Sequence, residues 1–194
     1  LSRKLLGQHA NVVAGRWRGP STPRLHELRG QTLGIVGMGT IGKKTARLAQ
    51  AFGMRVHYYD IARLPEDVED ALDVRLRLFG ELLRDSDVLS LHVPLNETTR
   101  GMVGEAELTR MKPTALLINT SRGPVVDEQA LHRALAARTI AGAGLDVFDV
   151  EPPPADHPLF ALDNVVLTAH MAGPTQESNP ARLSAGRRSA SKRT

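Results

Sequence analysis

The feature that most constrains the fold is a spaced trio of glycines, Gly37-Met38-Gly39-Thr40-Ile41-Gly42, set between an apolar stretch and an amphipathic one. Upstream, Thr32-Leu33-Gly34-Ile35-Val36 reads as a buried strand. Downstream, Ile41, Thr45, Leu48, Ala49 and Phe52 recur at helical spacing, and Gly53 is placed to end the helix. Each glycine has a physical reason. Gly37 permits the tight turn, Gly39 lets a diphosphate approach the backbone, and Gly42 lets the helix pack on the strand. The helix then aims its free N–H groups at the anion. Alone, such a loop is weak support for a site. Here a second strand, Arg55 to Tyr59, ends on Asp60, 18 residues after Gly42. A carboxylate there accepts hydrogen bonds from adenosine ribose hydroxyls and repels a 2′-phosphate. That points to NAD rather than NADP as cofactor, a preference that Arg63 nearby softens.

The alternation continues along the chain. Helices are predicted at Phe79–Arg84, Glu105–Met111 and Asp127–Ala137, and strands at Asp87–Val93, Ala115–Asn119, Ala141–Leu145 and Val165–Thr168. Several strands are apolar on both faces, as a parallel sheet covered by helices on both sides requires. The expected class is therefore α/β, a doubly wound parallel sheet of the dinucleotide-binding type. Residues 1–19 have helical composition, with Leu5, Leu6, His9, Val12 and Val13 on one face, and Gly19-Pro20-Ser21-Thr22-Pro23 breaks the pattern. The expected organisation is a helix and linker over 1–26, the cofactor domain over 27–178, and a tail over 179–194.

Charge raises one competing class. The net charge of +4 invites a nucleic-acid reading. Residues 179–194 carry five basic side chains and no acidic one, so the remaining 178 residues stand at −1. The basicity belongs to a tail expected to be solvated and disordered, and no nucleic-acid partner is expected. There is no cysteine, which removes disulfides, thiolate ligands and a cysteine nucleophile, and no metal site is expected. No apolar run approaches the roughly 20 residues that span a bilayer. A cytoplasmic location is the expectation.

Four segments then carry a family resemblance: Leu33 to Gly42, Ser90 to Gly101 (Ser-Leu-His-Val-Pro-Leu-Asn-Glu-Thr-Thr-Arg-Gly), Leu117 to Asp127 (Leu-Ile-Asn-Thr-Ser-Arg-Gly-Pro-Val-Val-Asp), and Gly144 to Pro153 (Gly-Leu-Asp-Val-Phe-Asp-Val-Glu-Pro-Pro). Thr168-Ala-His-Met-Ala-Gly173 closes the set. In this order and spacing the chain resembles the D-isomer-specific 2-hydroxyacid dehydrogenases from about Glu27 to Ser178. The resemblance implies a catalytic trio. Arg122 would bind the substrate carboxylate and the reacting oxygen, His170 would exchange the proton, and Glu151 would hold the imidazole. It also implies that Asp146 contacts the nicotinamide carboxamide, that Thr40 and Ile41 lie over the diphosphate, and that Val93, Pro94, Thr120 and Ser121 line the cofactor cleft, with Gly173 beside them. A homodimer through the helix of residues 1–19 is implied as well.

The chemistry supports these roles independently. Hydride arriving at a 2-oxo acid leaves negative charge on the carbonyl oxygen, which a fixed cation stabilises. A guanidinium suits a planar carboxylate. Proton exchange near neutral pH calls for histidine, and a neighbouring carboxylate favours its protonated form. Among the other histidines, His92 is read as structural or cofactor-adjacent, and His157 has no motif support.

Two departures shape the expectation. The resemblance implies longer proteins whose substrate domain comes from an N-terminal segment and the C-terminal end. This chain starts near the helix that crosses between domains, and from residue 179 it loses the expected amphipathic pattern, which suggests truncation or an altered reading frame. The expected function is an NAD-dependent oxidoreductase of small 2-hydroxy or 2-oxo acids, present as its cofactor-binding portion. The alternative is an NAD(H)-binding regulatory module, of the kind that serves as a corepressor, or an inactive fragment.

Overall fold

The computed structural model describes residues 1–19, 25–173 and 175. The break at Gly19–Pro23 falls outside them except for Gly19, and the tail of residues 179–194 lies wholly outside. Seven strands, β1 (Thr32–Val36), β2 (Arg55–Tyr59), β3 (Val74–Leu76), β4 (Val88–Leu91), β5 (Leu116–Asn119), β6 (Gly142–Leu145) and β7 (Val165–Leu167), form one sheet. Their order is β3-β2-β1-β4-β5-β6-β7, and every pairing is parallel. This is the expected doubly wound α/β class.

Six α-helices accompany the sheet: α1 (Leu5–Val13), α2 (Thr40–Ala51), α3 (Glu66–Leu72), α4 (Phe79–Asp85), α5 (Glu105–Arg110) and α6 (Glu128–Ala136). The central strands β1 and β4 are buried at every position, because helices cover them on both sides. One apolar cluster joins Leu33, Ile35 and Val56 of the sheet to Ala46 and Ala49 of α2 and Leu72 of α3. The other joins Leu89, Leu91 and Leu117 to Leu82 and Leu83 of α4, Leu108 of α5 and Leu131 and Leu135 of α6. Each such leucine removed from water contributes about 1.5–3 kcal/mol.

Local signals set the helix ends. Asp127 caps α6 by accepting from the Ala130 N–H at 2.9 Å. Gly53 takes φ +77° directly after the last residue of the α2 cap, the left-handed position that glycine fills most easily. Two elements were not anticipated, α3 and the edge strand β3. The first helix also departs from a packed amphipathic element: α1 buries none of its residues among the described parts of the chain.

The sheet order reverses between β1 and β4, which opens a crevice beyond their carboxyl ends. In register, Tyr59, Val36, Leu91, Asn119, Leu145 and Leu167 form one row across the sheet. The residues that follow them, Asp60, Gly37, His92, Thr120, Asp146 and Thr168, therefore share a single edge. That row is what collects the chemistry.

Candidate functional site

The glycine loop is built tightly on its protein side and openly on its outer side. Gly37 has φ +94°, and a Cβ there would stand 2.7 Å from the His92 carbonyl oxygen. A Cβ on Gly42 would stand 2.3 Å from the Gly37 carbonyl oxygen. Gly39, at the N-cap of α2, would meet nothing of the protein. Two glycines are thus required by internal packing, while the third leaves open space where the helix N-terminus begins. This arrangement fits a diphosphate. Thr40 and Ile41 form the exposed first turn of α2 above it.

Asp60 reaches back to the loop. Its Oδ2 accepts from the Met38 N–H at 2.7 Å, so the carboxylate is fixed beside the glycines with lone pairs left over for ribose hydroxyls. Arg63 is not free. Its Nη2 lies 2.7 Å from Glu69 Oε2, and its Nε also reaches that carboxylate. Glu69 in turn accepts from the Tyr58 hydroxyl at 2.5 Å.

Beyond the carboxyl ends of β4 and β5 lies a cavity of about 360 Å³ that brings together Ile41, Val93, Pro94, Thr120, Ser121 and Arg122, with His92 in its wall. His92 Nε2 meets Ser90 Oγ at 2.9 Å, and burial pushes its pKa down, which favours the neutral ring. Arg122 is exposed, and its Nη1 donates to the Ser121 carbonyl at 2.6 Å. The loop that carries it is held by Asn119. This buried side chain donates to the Arg122 carbonyl at 2.9 Å and accepts from the Ser121 N–H at 3.0 Å and hydroxyl at 2.8 Å.

A second, mostly apolar cavity of about 460 Å³ gathers Asp146, Glu151 and His170. His170 Nδ1 stands 2.7 Å from Glu151 Oε2, and Glu151 Oε1 accepts from the Phe148 N–H at 3.1 Å. The imidazole and that N–H hold the Glu151 carboxyl below its usual value, with a smaller contribution from Arg122. His170 has φ +54°, a strained backbone for a residue with a side chain. Asp146 holds that strained turn. Its Oδ1 accepts from the Thr168 hydroxyl at 2.5 Å and the Met171 N–H at 2.8 Å, and its Oδ2 from the Ala172 N–H at 2.8 Å. Burial works against the Asp146 charge, yet these donors outweigh it and keep its pKa below the usual carboxylate range. The expected carboxamide contact would rest on the capacity left at Oδ2.

The trio is therefore divided, with Arg122 in one cavity and the His170–Glu151 pair in the other. The loops that carry Arg122 and Glu151 approach each other at Gly123, where a Cβ would collide with the Phe148 carbonyl oxygen. Gly173 is exposed and lines neither cavity. Residue-by-residue reading missed Asn119, Thr168 and Glu69, polar side chains that hold the loops. A polar residue ending the apolar run Leu116-Leu117-Ile118 was the available signal for Asn119. His157, which had no motif support, pairs with Glu128 at 2.8 Å, and its ring packs against Phe148 and Phe160 in the wall of the His170 cavity. Among the described residues no group of His, Asp and Glu could hold a metal ion, and no helix is long and apolar enough to cross a membrane.

Comparisons with known proteins identify the family and the fold. The family described as "D-isomer specific 2-hydroxyacid dehydrogenase, NAD binding domain" matches residues 1–172. A glyoxylate reductase of Korarchaeum cryptofilum is 49% identical over 180 residues, covering 91% of this chain and 54% of the relative. The crystal structure of a glyoxylate reductase from Paecilomyes thermophila superposes with a TM-score of 0.85 at 38% identity, covering 97% of this chain and 57% of that one. D-lactate dehydrogenase with NAD+ from Lactobacillus jensenii gives 0.82 at 34% identity, covering 96% and 59%. The chain spans about half the length of these relatives. It belongs to the D-isomer specific 2-hydroxyacid dehydrogenase family, as an NAD-binding domain of that family.

Proposed function

We propose that this chain is the cofactor-holding part of an oxidoreductase that moves a hydride between NAD(H) and a small 2-hydroxy or 2-oxo acid. The observation that carries the reading is the 2.7 Å contact between His170 and Glu151 on the same sheet edge as the glycine loop. Gly37, Gly39 and Gly42 hold the diphosphate at the N-terminus of α2, and Asp60 holds the adenosine ribose. Ile41, Val93, Pro94, Thr120 and Ser121 wall the cleft. Bound NAD(H) supplies or accepts the hydride.

Arg122 binds the substrate carboxylate and stabilises charge developing on the reacting oxygen. His170 donates through Nδ1 to Glu151, which fixes the ring and leaves Nε2 to exchange the proton with that oxygen. Asp146 positions the turn on which His170 stands. Its two oxygens engage three donors, which supports a positioning role above a direct one.

The His170 and Glu151 side chains are 47% and 38% exposed, a poor setting for charge stabilisation. The 194-residue chain is accordingly expected to turn over slowly. Glyoxylate, hydroxypyruvate, pyruvate and phosphohydroxypyruvate, each assayed with NADH, test this. The expected result is slow oxidation with at least one acid that His170→Ala abolishes; oxidation indifferent to His170→Ala would overturn the reading. A homodimer through α1 is part of the proposal, supported by its exposed Leu5, Leu6, Val12 and Val13 and the nearby Trp17. A cytoplasmic location goes with it, where the soluble NAD(H) pool and small 2-oxo acids meet.

A further inference from the structure

The turn after β2 carries both signs of charge within four residues, Asp60 and Arg63, and the two would favour different cofactors. Three residues separate at most about 10–11 Å of chain, within the combined reach of an arginine side chain and a ribose 2′-substituent. An arginine there is a ready partner for a 2′-phosphate, since a guanidinium offers two parallel donors to phosphate oxygens. The structure spends that arginine elsewhere. Arg63 Nη2 donates to Glu69 Oε2 at 2.7 Å and Nε donates to the same oxygen at 3.2 Å. Glu69 comes from α3 and its side chain is 4% exposed, whereas the Arg63 side chain is 62% exposed. Glu69 is anchored from below as well. The Tyr58 hydroxyl donates to its Oε1 at 2.5 Å and itself accepts from the Leu64 N–H at 2.9 Å, which ties the end of the turn to the floor of the sheet.

This deepens the NAD reading and rests on it. We propose that Glu69 sets the domain's cofactor preference by holding the Arg63 guanidinium on α3, so that Arg63 is not available to a 2′-phosphate beside Asp60. Glu69 is thus a positioning residue for specificity, acting through Arg63. The consequence is that Asp60 is only half of the discrimination. Removing its charge lifts a repulsion without providing an attraction.

Fluorescence titration with NADH and NADPH, on chains shown by circular dichroism to be folded, tests this directly. Asp60→Ser is expected to weaken NADH while improving NADPH little. Adding Glu69→Gln, which keeps an acceptor for Tyr58, is expected to tighten NADPH by about tenfold, the worth of a freed charged hydrogen bond. Adding Arg63→Met to that double variant is expected to remove the gain, which a merely structural role for Glu69 would not do. No NADPH gain in the folded double variant overturns the proposal. Should Glu69→Gln fail to fold, Asp60→Ser and Asp60→Ser/Arg63→Met decide the matter. Equal NADPH affinity supports a sequestered Arg63, and a loss of about fivefold or more on removing Arg63 overturns it. A wild-type chain that binds no NADH defeats the underlying cofactor reading. NADH binding with NADPH unmoved in the Glu69 variant defeats only this proposal.

Discussion

The glycine loop with Asp60 and the His170 turn with Glu151 sit at two ends of one sheet edge, and they are finished to different degrees. At the first, Gly37 and Gly42 pack against backbone with no room for a Cβ, and Asp60 is bonded back onto the loop. At the second, the His170–Glu151 pair stands half exposed and Arg122 lies in a separate cavity. The interior of this domain packs tightly against the loop proposed to hold the cofactor. The side chains proposed for catalysis are held in place from below, by Asn119 and Asp146, but nothing among the described residues covers them from above. Binding and turnover should therefore respond to different substitutions.

The largest expected effect lies at the tight end. Gly42→Ala drives a methyl into the Gly37 carbonyl, so stability should fall by about 1–3 kcal/mol in urea denaturation. NADH binding should be lost with it, because α2 can no longer approach the loop. Unchanged binding would mean that the close approach of α2 and β1 does not shape the site.

Next comes Asp60→Ala, which should weaken NADH about tenfold by fluorescence titration and leave NADPH little changed. Arg122→Ala and His170→Ala, at the open end, should change NADH affinity by no more than about twofold. Losses of equal size at both ends would erase the contrast.

The sheet edge was legible because its signals are local. Glycine spacing, Asp60 at a strand end and alternating apolar runs each reside within a few residues. The strand β3 was not legible, being three residues long and paired on one side only, in a segment crowded with charge. Its helix α3 did leave a trace, Pro65 followed by Glu66, Asp67 and Glu69 in the first turn. The holding residues were hidden for another reason. Asp146 and Thr168 are 22 residues apart, and Tyr58 and Glu69 are 11 apart. Only the fold reveals that such side chains meet. Arg63 shows the same limit, since its nearness to Asp60 in sequence suggested a role that its bond to Glu69 redirects.

Acid should act on the open end in a defined direction. Asp146 and Glu151 have lowered pKa values in the folded chain. Their contribution is present above the unfolded carboxylate value of about 4 and is lost as pH falls through the lowered values. Amide NMR signals of Met171 and Ala172 should keep their native positions from pH 7 to about 4 and shift below it. Shifts already complete at pH 6 would detach the turn from these carboxylates.

The smallest effect is expected on α1. With Leu6 at 62% and Trp17 at 81% exposure, Leu6→Glu or Trp17→Ala should change the stability of the single chain by no more than about 0.5 kcal/mol. Sedimentation should nonetheless show less self-association, and a dimer indifferent to both substitutions would place the contact elsewhere.

The central claim is that this chain, by itself, builds a complete cofactor site. Titrating the folded 194-residue chain with NADH and following nicotinamide fluorescence tests it most directly. The account predicts saturable binding at one site per chain, with NADPH bound more weakly. Folded protein that shows no saturable binding of NADH would contradict it.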